Sequence, residues 1–76
     1  MKASHRENHR GGNIYYYPRI IVGNKHHECK AGNTLGYDCW QSARKYARKW
    51  IKVIEEGKYT LEDFENSLAG KLPEGT

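Results

Sequence analysis

The pattern of apolar and polar positions changes three times along the chain, and each pattern predicts a different element. Residues 14–22 are β-branched or aromatic at nearly every position, which is typical of a strand. Gly23-Asn24 favours a turn, so residues 25–31 are predicted to return antiparallel to this strand. Because Pro18 has no backbone N–H, we expect the first strand to lie at a sheet edge or to bend there.

A long amphipathic helix is predicted over residues 39–56, which contain no Gly or Pro. Asp38 stands three residues before Gln41, which favours a capping box at the start, and Gly57 favours the end. At 100° per residue, one side of this helix collects the apolar residues Cys39, Trp40, Ala43, Tyr46, Ala47, Trp50, Val53 and Ile54. The other side collects, within an arc of about 140°, the cations Arg44, Lys45, Arg48, Lys49 and Lys52.

A second, shorter helix is indicated by Thr60 followed three residues later by Asp63, a further capping-box arrangement. Its apolar stripe is predicted to consist of Leu61, Phe64 and Leu68, and Gly70 is expected to end it. The predicted fold class is therefore α+β, with an N-terminal β-hairpin packed on a long amphipathic helix that is followed by a short C-terminal helix.

The domain is predicted to span residues 14–72. Residues 1–13 contain no apolar pair that anchors a structure and include Gly11-Gly12, so we expect a flexible basic arm. Residues 73–76 are expected to fray. A chain of 76 residues buries a thin core, which commonly needs a disulfide, a metal or a second copy, and we expect a homo-oligomer.

The charge of the chain is unevenly distributed. Residues 1–52 carry eleven Lys/Arg against three acids, whereas residues 53–76 carry two Lys against six acids. A basic body suggests a polyanionic partner. No apolar run approaches the length of a membrane span or a signal-peptide core, so we expect no membrane partner and a cytoplasmic protein.

The cationic side of the long helix is the leading candidate for binding. Positive charges spaced by helical turns suit a phosphate backbone, and no acid interrupts residues 42–53. The alternative is an ordinary solvated helix face. We expect the N-terminal arm to extend the binding track, together with Lys25, Lys30 and Arg19.

The tyrosine run favours RNA over DNA. Alternation along a strand sends Tyr15 and Tyr17 to one side and Tyr16 to the other. One set, Tyr15 and Tyr17, is predicted to stack on unpaired bases. The alternative is that both sets are packed, one in the core and one in a dimer interface.

A metal site, a cofactor and catalysis are not predicted. His27, Cys29 and Cys39 are candidate ligands, but their spacing meets no standard zinc pattern. A Cys29–Cys39 disulfide stays open, and we favour a buried, inert Cys39 thiol. The neighbouring His26 and His27 point apart on a strand, and the sequence shows no Ser/His/Asp set, phosphate loop or convincing carboxylate pair.

The segment AGNTLGYDCWQSARKYARKWI, about a quarter of the chain, resembles the last helix of double-stranded-RNA-binding domains. Lys/Arg and Ala alternate there after a glycine-containing loop. The helix and the third strand that precede it in that family have no predicted counterpart here, so the resemblance assigns no site residues.

The sequence thus predicts a small non-catalytic nucleic-acid-binding protein. A second hypothesis is a phage-type inhibitor or counter-defence protein, whose cationic helix docks on an acidic host or toxin protein, alone or with RNA. A third places the acidic second helix on the cationic helix of a neighbouring copy.

Overall fold

The computed structural model describes residues 1–30 and 36–72. Three strands precede two helices: β1 (Lys2–Arg10), β2 (Asn13–Val22), β3 (Lys25–Glu28), α1 (Trp40–Glu55) and α2 (Leu61–Asn66). The strands form an antiparallel sheet in the order β1-β2-β3. The predicted α+β class is confirmed, and the predicted frayed tail at 73–76 lies outside the described residues.

The hairpin of β2 and β3 is present as predicted. Val22 pairs with Lys25 across the turn, and the pairing continues to Arg19 opposite Glu28. Gly23 adopts a φ of 60°, a left-handed conformation that a tight turn of this kind requires and that glycine adopts without a steric penalty.

The predicted flexible arm is wrong, because Lys2–Arg10 is a strand that pairs with β2 along its whole length. Gly11 and Gly12 have φ values of 56° and 82°, as the two central residues of a tight hairpin turn do. The segment needs no apolar anchor, since its backbone bonds and its cross-strand contacts with β2 order it. It supplies the third strand that the sequence did not predict.

Pro18 lies in the central strand, opposite His5 of β1, and not on an edge strand. In a strand, the backbone N–H and C=O groups of residues two positions apart point toward the same neighbouring strand. Tyr16 forms two backbone hydrogen bonds with Tyr37, on the side of β2 away from β1. The nitrogen of Pro18 therefore also points away from β1, just beyond the last β2–β3 pair at Arg19. The missing N–H of Pro18 therefore interrupts neither the β1–β2 nor the β2–β3 hydrogen-bond ladder.

The two helices cover one face of the sheet, α1 on β1 and β2, and α2 on β3. Ala43, Ala47 and Trp50 of α1 are buried. The indole of Trp50 contacts the rings of Tyr59 and Phe64 edge-on, and its N–H donates to the Gly70 carbonyl at 2.7 Å. Among the described residues, no helix is both long and apolar enough to cross a membrane.

The helix ends agree only in part with the sequence. The capping box of Thr60 and Asp63 is confirmed. The one predicted at Asp38 is wrong, because the N-cap is Cys39, one residue later, where no side chain caps the helix.

The second helix also ends earlier than predicted. It stops at Asn66, since Ser67 leaves the helix and its carbonyl accepts a bond from the Lys30 N–H. Leu68 is consequently exposed and does not belong to the apolar stripe.

Gly70→Ala is expected to destabilise the fold more than Gly57→Ala. Both glycines have a positive φ, near 70° and 79°, so each alanine costs about 1–2 kcal/mol of backbone strain. A Cβ on Gly70 would in addition lie 2.5 Å from Pro18 Cγ, whereas at Gly57 nothing lies within 4 Å. We expect the clash to add about 1–3 kcal/mol, measured by denaturant unfolding. Equal losses in the two variants would contradict this packing.

Candidate nucleic-acid interface

We call the five cations of α1 the cationic face: Arg44, Lys45, Arg48, Lys49 and Lys52. The last four lie on the side of the helix away from the sheet, and Arg44 lies at the border, where it contacts His5 of β1. Arg44 is half-buried and the other four are exposed. The helix is oriented this way because Ala43, Ala47 and Trp50 bury its opposite side. Residues four apart on a helix are separated by a rise of about 6 Å, so Arg44, Arg48 and Lys52 form a regularly spaced ridge, with Lys45 and Lys49 beside it.

No carboxylate is paired with the cationic face in the part of the chain that the structure describes. The salt bridges found there join Arg6 and Arg19 to Glu28, His9 to Glu7, His27 to Glu65, and Lys58 to Glu56. Two of the cations contact aromatic rings, with Arg44 Cζ 4.8 Å from the Trp40 centroid and Lys49 Nζ 5.5 Å from that of Tyr46. Among the described residues, the contacts of this face are therefore with aromatic rings and, for Arg44, with the His5 imidazole, and not with a carboxylate.

An open groove of about 220 Å³ adjoins the C-terminal half of the cationic face. Its apolar walls are Val53 and Leu72. Its charged rim consists of Lys49, Lys52, Lys58 and Glu56. Since Glu56 lies 3.8 Å from Lys58, the groove extends the positive surface beyond the helix with one local carboxylate in it.

The other predicted cations do not join this face. Arg19 lies on the sheet face opposite the helices, where its Nη2 is 3.6 Å from Glu28 Oε2. Arg6 shares the same carboxylate at 2.7 Å. Lys25 is exposed at the start of β3, the strand on which α2 packs, and Lys30 is exposed two residues after the end of that strand. The structure therefore does not bring these residues into one continuous track with the helix.

The predicted role of Tyr17 in stacking is wrong. Tyr15 and Tyr17 do point to the side opposite Tyr16, but Tyr17 is 0% exposed and belongs to the core. The Arg6 guanidinium carbon lies 4.6 Å from its ring centroid, and the Gly36 backbone packs closely against it. Tyr15 is half-buried.

Sequence reasoning missed a cluster at the start of α1. The His5 and Trp40 rings are stacked with centroids 5.8 Å apart, and Tyr16 meets His5 edge-on at 5.5 Å. Arg44 Nε donates to His5 Nδ1 at 3.0 Å. Trp40, predicted to be buried, is 41% exposed. It lies at the border of the two helix sides, and its stacking partner His5 belongs to β1, where the sequence predicts a flexible arm.

The two cysteines are free thiols. Cys29 is the buried one: burial raises its pKa to about 11, and its Sγ donates to the Pro18 carbonyl at 3.8 Å. Cys39 is half-buried, contrary to the prediction, with Sγ 3.1 Å from Ser42 Oγ at the helix start. The described residues hold no group of three His, Cys, Asp or Glu side chains placed for a metal.

The His5–Arg44 contact predicts that acidification destabilises the fold. Burial, followed by the nearby Arg44 charge, lowers the pKa of His5 below its ordinary value of 6.5. The folded state favours neutral His5, so its contribution to stability is complete above pH 6.5 and is lost as the pH falls through the lowered pKa. Thermal unfolding between about pH 8 and pH 5 should show a steeper loss for the wild type than for His5→Asn, which keeps an acceptor but does not titrate. Identical pH dependences would contradict this contact.

The chain was also compared with known proteins. No protein-family model matches the sequence, and neither a curated protein nor a solved structure gives a match. The proposal for its function therefore rests on the geometry and charge of the cationic face and the cluster beside it.

Proposed function

We propose that the protein is a small non-catalytic nucleic-acid-binding protein, with RNA favoured over DNA, that binds phosphates through the cationic face of α1. The observation that carries this proposal is the placement of Arg44, Lys45, Arg48, Lys49 and Lys52 on one outward helix side with no paired carboxylate among the described residues. Cations held in this way attract a polyanion and release its condensed counterions on binding.

The regular spacing favours a polymer over a small anion. Arg44, Arg48 and Lys52 succeed each other at a rise of about 6 Å, and the whole face extends over about 12 Å of helix. A single phosphate group contacts only one or two of these side chains, whereas a nucleic-acid backbone presents a charge at every nucleotide and contacts all of them. Affinity should therefore increase with the length of the strand until the face is covered.

The composition of the face supports phosphate contacts and not the recognition of base sequence. Lys and Arg dominate it, and Gln41, about one turn before Lys45, is the one amide side chain on this side of α1. Phosphate contacts position a protein on nucleic acid, while sequence is recognised through base edges. We expect little sequence preference. The preference for RNA rests on the aromatic cluster at the start of α1, since unpaired bases that stack on aromatic side chains are characteristic of RNA recognition.

Homo-oligomerisation and a cytoplasmic location stay predictions. A protein target in place of nucleic acid is an outcome of the experiments below, because an inhibitor that docks on an acidic protein surface uses the same cations without a length-dependent affinity for RNA.

Wild-type protein is expected to bind random-sequence RNA of about 12 nucleotides in a salt-dependent manner. Five phosphate contacts on a single strand give a slope near −3.5 in a plot of log affinity against log salt, at about −0.7 per contact. Fluorescence anisotropy over a salt series measures the slope, with DNA of the same sequence alongside. Absence of binding at low salt would overturn the proposal and favour the protein target.

The double variant Arg48→Glu/Lys52→Glu should lose at least about tenfold in affinity, and its slope should shrink to about −2.1 because two contacts are removed. Both side chains are exposed and have no carboxylate partner in the described residues, so the fold should be retained. The matched control is Lys25→Glu/Lys30→Glu, which changes the net charge by the same amount at the start of β3 and just after its end. Equal losses in both variants would show that net charge, and not the cationic face, governs binding.

A further inference from the structure

The ridge of cations on α1 ends in an aromatic side chain. Counting back in steps of four from Lys52 gives Arg48, Arg44 and then Trp40, the first residue of the helix. Residues at this spacing are neighbours on the helix surface, at a rise of about 6 Å per step. The indole of Trp40 therefore continues the line of the phosphate-binding side chains.

Trp40 is the one exposed side chain among the Phe, Trp and Tyr residues of the chain, all of which the structure describes. It is 41% exposed, whereas Trp50 is 1% exposed and Tyr17 and Phe64 are fully buried. The other tyrosines are half-buried. The exposed part of this indole leaves aromatic surface beside the row of cations that a ligand can contact.

Two neighbours contact this indole directly, and a third supports one of them. His5 of β1 is stacked with it at an interplanar angle of 27°, and Tyr16 of β2 supports His5 edge-on. Arg44 lies over the indole and also donates to His5 Nδ1 at 3.0 Å. The ring is thus ordered by two strands and by the next cation of the ridge. Its orientation is set before any ligand arrives, which lowers the entropic cost of binding.

We propose that Trp40 is a stacking platform for an unpaired nucleobase of a single-stranded RNA whose phosphates lie on Arg44 and Arg48. The inference rests on the proposed function and specifies its ligand. Charge complementarity argues for this occupant. A nucleotide carries a flat aromatic base next to a negatively charged phosphate, and Trp40 and Arg44 place an aromatic ring next to a positive charge. Stacking on an indole accepts every base, so the site selects single strands over duplexes and not one sequence over another.

The test compares an RNA oligomer with an abasic oligomer that has the same length and the same number of phosphates. Wild-type protein should bind the base-containing oligomer roughly 5- to 150-fold more tightly, the range expected for one stacked base. Trp40→Ala should bind both oligomers alike, with the affinity that the wild type has for the abasic one. Trp40→Phe, which keeps an aromatic ring, should recover a large part of the difference.

Trp40→Ala is expected to fold, because alanine is the best helix former and the replaced side chain is exposed and lies outside the hydrophobic core cluster. Circular dichroism verifies this. The salt dependence of Trp40→Ala should equal that of the wild type, since no cation is removed. A general loss of structure would weaken binding to both oligomers, which distinguishes it from the loss of a stacked base.

Tryptophan fluorescence gives a second readout. The two tryptophans differ in exposure, and Trp50 is buried and bonded to Gly70. Base-containing oligomer should quench the wild-type emission while abasic oligomer does not, and in Trp40→Phe, which emits from Trp50 alone, the quenching should disappear.

The outcomes separate the two proposals. An equal preference for the base-containing oligomer in wild type and Trp40→Ala, with salt-dependent binding intact, overturns the role of Trp40 and leaves the cationic face standing. Wild-type protein that binds neither oligomer at low salt overturns the proposed function and this inference with it. A preference lost in Trp40→Ala but not in Trp40→Phe supports both.

Discussion

The burial of Trp50 is the constraint on which the rest of the structure depends. Its ring is 1% exposed, contacts Phe64 and Tyr59, and is held through its N–H by the Gly70 carbonyl. One side chain thereby joins α1, α2 and the segment after α2. Because a helix has a fixed angular relation between its residues, the inward direction of Trp50 also sets the outward direction of Arg48 and Lys52, which lie two positions before and after it. Core packing, and not an interaction among the charges themselves, exposes the cationic face.

The sheet shows how a polar strand is ordered by charged and aromatic partners. On the side away from the helices, Arg6 of β1 and Arg19 of β2 share Glu28 of β3, so one carboxylate links all three strands. On the helix side, His5 links β1 to α1 through Arg44 and Trp40. The strand that lacks apolar anchors in sequence is therefore the one that connects the core to the candidate site.

The sequence predicted the elements whose stability is local and missed those that depend on distant partners. The amphipathic periodicity of α1, the capping box of Thr60 and the turn at Gly23 are each decided by neighbours a few residues away, and each is confirmed. β1 depends on pairing with β2, so its composition alone favoured disorder, although Gly11-Gly12 is a hairpin signal. For the same reason, the sequence predicted an exposed Tyr17 and a buried Trp40, whereas the structure has Tyr17 buried and Trp40 exposed. Arg6 and the Gly36 backbone cover Tyr17, and His5 holds Trp40 at the surface, and none of these contacts is visible in a one-dimensional pattern.

The cationic face has an energetic consequence for the free protein. Like charges stand four apart in the pairs Arg44–Arg48, Lys45–Lys49 and Arg48–Lys52, and three apart in Lys45–Arg48 and Lys49–Lys52. At about 0.2–0.5 kcal/mol each, these pairs destabilise α1 by roughly 1–2.5 kcal/mol at low salt. Elsewhere in the described residues, acids relieve such repulsion: Glu28 joins Arg6 and Arg19, and Glu56 is near Lys58. A polyanion on the face removes the repulsion in the bound state only, so binding of phosphates and stability of α1 are coupled. Because none of the five cations is paired with a carboxylate among the described residues, the face is free to respond to a phosphate backbone.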